Sequence, residues 1–238
     1  MHYAESGDAL KPLVVFVHGS PGSLSAFIEF LTDSTLLTLA RLVAVDRPGF
    51  GYSGFGYSEP SLKKQCEYIR PILEKYRHKT PVILVGHSFG GPVVARMAME
   101  FPELVDGLVL VAAALDPQLE PDHQWIRGPL ATPFLGWILP RAIRVSNKEI
   151  YKLKPELERM IPMYGSITCP VTILHGTNDN LVHVDNAHFA RQMLVNAPVQ
   201  LVIEQDVNHY IPWKYPEMIR DALIRILTPK PDFQVSVE

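Results

Sequence analysis

The 238-residue sequence has only two cysteines, Cys66 and Cys169, far apart and in no metal-like spacing, so neither a disulfide framework nor a zinc site is suggested. Both read as small buried hydrophobes. No apolar run approaches the roughly 20 residues that a membrane-spanning helix needs. The first residues lack a basic region followed by a long apolar stretch: Leu13 to Val17 is short and ends in His18-Gly19. Export is therefore not indicated, and a reducing cytoplasmic setting is expected. Positive charge is not in excess either. With 22 Lys and Arg against 25 Asp and Glu, the net charge of -3 gives no global basic field to draw in nucleic acid or anionic lipid. A small, uncharged or mixed ligand fits better, with no integral membrane association. What the chain does have, 47% hydrophobic and 20% charged residues, suffices for one sizeable core and is too little for two generous domains.

Short, β-branched-rich runs recur along the chain at Leu13 to Val17, Leu42 to Asp46, Val82 to Gly86, Leu108 to Ala112, Val171 to His175 and Val199 to Glu204. They are continuous rather than alternating, as strands buried on both faces of a parallel sheet are. Helical patterns lie between them. Leu62, Cys66, Ile69, Leu73 and Tyr76 form one stripe, in which Pro71 predicts a kink. Pro92 to Glu100 is apolar on most sides and reads as a buried helix, and Pro216 starts a last helix that Pro229 stops. The alternation predicts an α/β fold with a doubly wound, mostly parallel sheet.

Asp116 to Thr168 breaks the pattern, with prolines, two tryptophans and helical patches but no convincing strand. The expected organisation is a core of residues 1–115 and 169–238 with a helical cap or lid inserted at 116–168. Trp125, Phe134 and Trp137 are more apolar than a surface insertion needs; they either pack down on the core or line a substrate pocket. Lys148 to Met160, with interleaved charges, reads as a solvated helix face. The tail from Pro229 reads as extended or frayed.

Gly86-His-Ser-Phe-Gly90 is a Gly-x-Ser-x-Gly sequence directly after an apolar strand and directly before a helix-forming stretch. In that context Ser88 is held in a sharp, strained turn, and the flanking glycines let strand and helix approach closely, so the hydroxyl stands clear as a nucleophile. A serine hydroxyl needs a base, and the base needs a carboxylate. Asp179 follows the strand Val171 to His175, His209 follows the strand Val199 to Glu204, and the order Ser, Asp, His suits a triad. Asp116, Asp185 and Asp206 compete for the carboxylate role. Two backbone N–H groups would stabilise the oxyanion, one from Phe89 and one from Ser20 in His18-Gly-Ser-Pro-Gly22. His18 reads as a structural hydrogen-bonder.

Taken together, His18 to Gly22, Asp46-Arg-Pro-Gly-Phe-Gly-Tyr-Ser53, Gly86 to Gly91, the Asp179 segment and Asn208-His209 resemble the α/β-hydrolase superfamily from the first strand to the last helix. The resemblance implies a cap after the strand Leu108 to Ala112, and marks this chain as lacking most of the family's two N-terminal strands. Family members that open epoxides or displace halide use an aspartate nucleophile, so Ser88 points to acyl chemistry. His-Gly-Ser-Pro-Gly is similar to a proline iminopeptidase motif, which would need a cap carboxylate such as Glu120, Asp122, Glu149 or Glu156 to hold a free amino group. The expected activity is carboxylic-ester hydrolysis of a small acyl substrate through an acyl-enzyme. The rivals are a proline aminopeptidase, a carbon–carbon bond hydrolase, a cofactor-free perhydrolase and a ligand sensor with little turnover. No metal or organic cofactor is implied. Gly49-Phe-Gly-Tyr-Ser-Gly54 matches a dinucleotide fingerprint only formally, since the next helix is delayed, and His183, Asp185 and His188 do not share a helix face as metal ligands would.

Overall fold

A computed structural model describes residues 1–76, 80–120 and 124–228, with side chains described for all of these except 124–126, 133 and 134. The strands β1 (Tyr3–Ser6), β2 (Leu13–Val17), β3 (Arg41–Val45), β4 (Val82–His87), β5 (Gly107–Val111), β6 (Val171–Gly176) and β7 (Val199–Glu204) form one sheet in the order β1-β3-β2-β4-β5-β6-β7. All neighbours are parallel except β1, which pairs antiparallel with β3 at the edge. Every residue of β2, β4, β5 and β6 is buried. That is why these segments read as unbroken apolar runs: helices cover both faces, and no position faces water.

The helices are α1 (Ile28–Leu31), α2 (Ser34–Leu39), α3 (Leu62–Tyr76), α4 (Gly90–Glu100), α5 (Gln124–Ala131), α6 (Pro133–Gly136), α7 (Arg141–Met160), α8 (Asp185–Met193), α9 (Ile211–Lys214) and α10 (Pro216–Leu227). One apolar layer gathers α3, α4 and the inner side of α7 through Leu73, Val93, Met97, Leu157 and Met160. The other packs Phe16, Phe27, Phe30, Ile219 and Leu223 against the opposite face. Helix α3 runs through Pro71 without ending there. The sheet between these layers is the rigid base from which the loops at the C-terminal strand ends project.

Two expectations are corrected. The N-terminal edge is not bare: Tyr3–Ser6 pairs with β3. Its sequence, Tyr-Ala-Glu-Ser, has no apolar run, because an edge strand half open to water does not need one. Helix α7 is also not simply solvated. Glu149, Leu153, Glu156, Leu157 and Met160 are buried, so the interleaved charges divide between an inner and an outer side. The tail from Pro229 lies outside the described residues.

Candidate active site

Strand β4 ends at His87 and α4 begins at Gly90, which leaves Ser88 in the turn between them with φ +53°. This left-handed conformation is uncommon for a residue with a Cβ and costs about 1–3 kcal/mol, so the surroundings must impose it. The Ser88 N–H donates to the Val111 carbonyl at 2.9 Å, and the Ser88 carbonyl accepts from Gly91 N–H at 2.9 Å. The turn also needs bare backbone on both sides: a Cβ at Gly90 would strike the Val17 carbonyl, and one at Gly86 would strike Gly90 and Val94. These contacts give the physical reason for the glycines of the pentapeptide.

Among the four candidate carboxylates, Asp179 is the one that meets the histidine. Its Oδ2 lies 2.7 Å from His209 Nδ1, and its Oδ1 accepts the Leu181 and Val182 N–H groups, each at 2.9 Å. His175, four residues earlier in β6, places Nε2 2.9 Å from the Val182 carbonyl and 3.4 Å from Asp179 Oδ2. Burial by itself would raise the Asp179 pKa. The hydrogen bonds from His175, His209 and Val182 N–H outweigh it and hold the carboxyl well below the usual range. An ionised Asp179 fixes the proton of His209 on Nδ1 and leaves the Nε2 lone pair free. Asp116 instead accepts from Gln118 N–H, Asp185 pairs with His183 at the surface, and Asp206 is exposed.

Ser88 and His209 make no hydrogen bond to each other among the described residues; catalytic contacts of this kind often tighten only with substrate bound. They are joined through His87. Its Nε2 donates to the His209 carbonyl at 2.9 Å, and its ring centre lies 4.8 Å from that of His209, tilted by 45°, with Trp213 edge-on at 5.5 Å. Full burial, with the charge of nearby His209, lowers the His87 pKa to about 3, so it stays neutral and cannot compete as a base.

The loop carrying Ser20 is held by charge. Arg47 and Glu149 are both fully buried and form a two-pronged ion pair, at 2.7 Å (Nη1 to Oε1) and 3.1 Å (Nη2 to Oε2). Arg47 further donates to the His18 and Gly19 carbonyls and to Gln65 Oε1, at 2.8 to 3.0 Å. Ser20 Oγ donates to Glu149 Oε2 at 2.8 Å. His18 is structural, as expected: Nε2 accepts Arg47 N–H and Nδ1 donates to the Gly19 carbonyl, and burial keeps its pKa well below the ordinary value. The Ser20 and Phe89 N–H groups have no acceptor among the described residues. Gly19 lies against Ser88, where a Cβ would come within 2.9 Å of the serine Cβ.

The sequence reading missed Arg47, Gln65, His87 and His175, and placed Glu149 only as a cap carboxylate. The signal for Arg47 was its seat directly after a buried strand, where a charge must find a buried partner. That partner, Glu149, is 102 residues away.

Two of the four cap carboxylates are already occupied. Glu149 is saturated by Arg47, Ser20 and Gln65. Glu156 accepts Leu62 N–H and pairs with Arg159. Burial pushes the Glu120 pKa up to about 7, against the pull of Arg127 and Lys154. Asp122 lies outside the described residues, as do the side chains of Trp125 and Phe134. Trp137 is 71% exposed. A cavity of about 610 Å³, lined in part by His2, Tyr52, Tyr57 and Tyr68, lies away from Ser88 and His209. No group of three or more His, Cys, Asp or Glu side chains converges as a metal site would require among the described residues.

Residues 12–135, just over half of the chain, match the family described as the alpha/beta hydrolase fold. The chain belongs to the α/β-hydrolase family. Among curated relatives, human protein ABHD8 is 26% identical over 255 residues, covering 92% of this chain and 56% of that protein, so the chain spans just over half the length of this relative. The mouse mitochondrial palmitoyl-protein thioesterase ABHD10 is 26% identical over 208 residues, covering 83% of this α/β-hydrolase chain and 69% of that protein. Among solved structures, a monoacylglycerol lipase from Paleococcus ferrophilus superposes with a TM-score of 0.73 at 21% identity, covering 95% of this chain and 97% of that one. An enol-lactonase from Burkholderia xenovorans LB400 has a TM-score of 0.73 at 15% identity, each chain covered to 95%. Among the described residues of this α/β-hydrolase no helix is long and apolar enough to cross a membrane.

Proposed function

We propose that this protein is a serine hydrolase that cleaves a carboxylic ester through an acyl-enzyme, with Ser88 as nucleophile, His209 as base and Asp179 as the group that orients it. The observation that carries this reading is the 2.7 Å Asp179–His209 contact beside a serine held at φ +53°. His209 Nε2 takes the Ser88 proton as Oγ attacks the carbonyl carbon. The Ser20 and Phe89 N–H groups receive the oxyanion. His209 then protonates the leaving alcohol, and a water deprotonated by the same imidazole releases the acid and restores Ser88. In this account residues 116–168 form the cap that selects the substrate, over a core of residues 1–115 and 169–238.

Lipase, lactonase and thioesterase relatives all act on acyl carbonyls, which supports the reaction class. An aminopeptidase needs a free carboxylate for its substrate's ammonium, and the occupied Glu149 and Glu156 leave that role to Glu120 and Asp122 alone among the candidates. The test is turnover of p-nitrophenyl esters of graded acyl length beside a proline p-nitroanilide. Ester turnover is the expected result; cleavage of the anilide alone would overturn the assignment. The kcat/KM of the ester should rise with pH as the imidazole loses its proton, because Asp179 stays ionised and His87 stays neutral throughout. A flat profile between about pH 5 and 8 would exclude histidine as the base.

A further inference from the structure

The turn from α6 into α7 exposes large apolar side chains where a soluble surface would bury them. Within nine residues, Leu135 is 37%, Trp137 71%, Ile138 63% and Ile143 44% exposed. Tyr57, 82% exposed, sits in the neighbouring loop, whose Gly56 backs onto the Arg141 side chain. A cluster of exposed large apolar side chains so close in sequence marks a candidate contact site.

The charge that α7 carries beside the patch has one sign. Arg141, Arg144, Lys148 and Lys152 recur at intervals of three, four and four residues, which aligns them in one stripe along α7. None of the four forms an ion pair with another described residue. The acids of this helix lie elsewhere: Glu149 is buried on Arg47, Glu156 is buried on Leu62 and Arg159, and Glu158 lies beyond the end of the stripe. A cavity of about 270 Å³ opens along the stripe, lined by Thr132, Lys148, Tyr151 and Lys152 among others.

We propose that this face, Leu135 to Ile143 together with the Arg141–Lys152 stripe, docks the protein on an anionic phospholipid bilayer. The tryptophan and isoleucines enter the boundary between headgroups and acyl chains, where amphipathic rings and short apolar patches are stable. The stripe lies at headgroup level against the negative lipid phosphates, and the cavity between Lys148 and Lys152 seats one of them. The overall charge of -3 does not oppose this, because salt limits the reach of charge to about 8 Å and local charge then outweighs net charge. A second copy of the chain is a poor occupant: a two-fold contact would set the same positive stripe against itself. The proposal is independent of the catalytic reading.

The experiment is flotation of the full chain with phosphatidylcholine vesicles, with and without added phosphatidylglycerol. The protein should float with the anionic vesicles and lose them as salt rises. Arg144→Glu and Lys148→Glu should each weaken binding at least fivefold, since each cation near the surface is worth about 1 kcal/mol. Trp137→Ser should weaken it roughly tenfold. Ser88→Ala should bind as the wild type does, so an inactive enzyme leaves the result readable. Equal binding to neutral vesicles, no flotation at all, or variants indistinguishable from wild type would overturn the proposal. So would a dimer in sedimentation that Trp137→Ser converts to monomer, because the face would then belong to a second copy.

Discussion

Ser88→Ala should lower kcat/KM for a p-nitrophenyl ester by about 10⁴- to 10⁶-fold and leave the fold intact. In the proposed mechanism the loss follows from atoms, since alanine has no oxygen to form the acyl-enzyme and His209 is left a base without a proton to take. Stability should not fall with it. Alanine keeps the Cβ that packs near Gly19, and the Ser88 hydrogen bonds to Val111 and Gly91 are made by backbone atoms. The strained φ of +53° persists in the variant, so thermal denaturation should give a Tm within a degree or two of wild type, in keeping with a change of at most about 0.5 kcal/mol. A loss of activity that tracked a loss of helix signal would assign Ser88 to folding instead.

Glu149→Ala should produce the opposite profile, a large loss of stability together with a smaller loss of rate. Removing the carboxylate leaves the Arg47 guanidinium, fully buried, without its counter-ion. Breaking one side of a buried pair costs about 3–5 kcal/mol, a large part of the 5–15 kcal/mol that holds a domain folded. For a chain of this size that is a Tm drop on the order of 10 °C. Activity should fall as well, because Arg47 tethers the His18 and Gly19 carbonyls and Glu149 tethers Ser20. In the proposed mechanism a 1 Å drift of the Ser20 amide removes one oxyanion donor and is worth roughly 100-fold, read in kcat rather than KM.

The double variant Arg47→Met/Glu149→Met separates the two effects. Replacing a buried ion pair by apolar side chains is often neutral or stabilising, so Tm should recover. The carbonyl tethers do not return with it, and kcat should stay low. Recovery of both would mean that the pair serves stability alone.

The centre of the sheet was legible because it obeys one rule. Strands covered on both faces must be apolar at every position, and Leu13–Val17, Val82–Gly86 and Leu108–Ala112 could be read from that requirement, the last one residue out of step with the observed Gly107–Val111. The serine turn was legible because its glycines are needed where backbone meets backbone, at Gly86 and Gly90. The edge strand Tyr3–Ser6 was not legible, since it satisfies its hydrogen bonds on β3 and is free of the apolar requirement on its open side.

Helix α7 shows a different limit. Its alternating charges look alike in sequence, yet Glu149 turns inward to an arginine 102 residues away while Lys148 and Lys152 turn outward. Periodicity locates the faces of a helix, but which face is inner depends on a partner that only the folded chain supplies. His87 and His175 were overlooked for a related reason. A histidine at the end of an apolar strand reads as the end of the run, although each of these two touches a member of the Asp179–His209 pair.

The most direct test of the central claim is covalent labelling with a fluorophosphonate, followed by intact-protein and peptide mass spectrometry. The account predicts one adduct, on Ser88, that forms faster as pH rises and is absent from Ser88→Ala. A folded wild-type protein that takes up no label, or a label found on another residue and retained in Ser88→Ala, would contradict it.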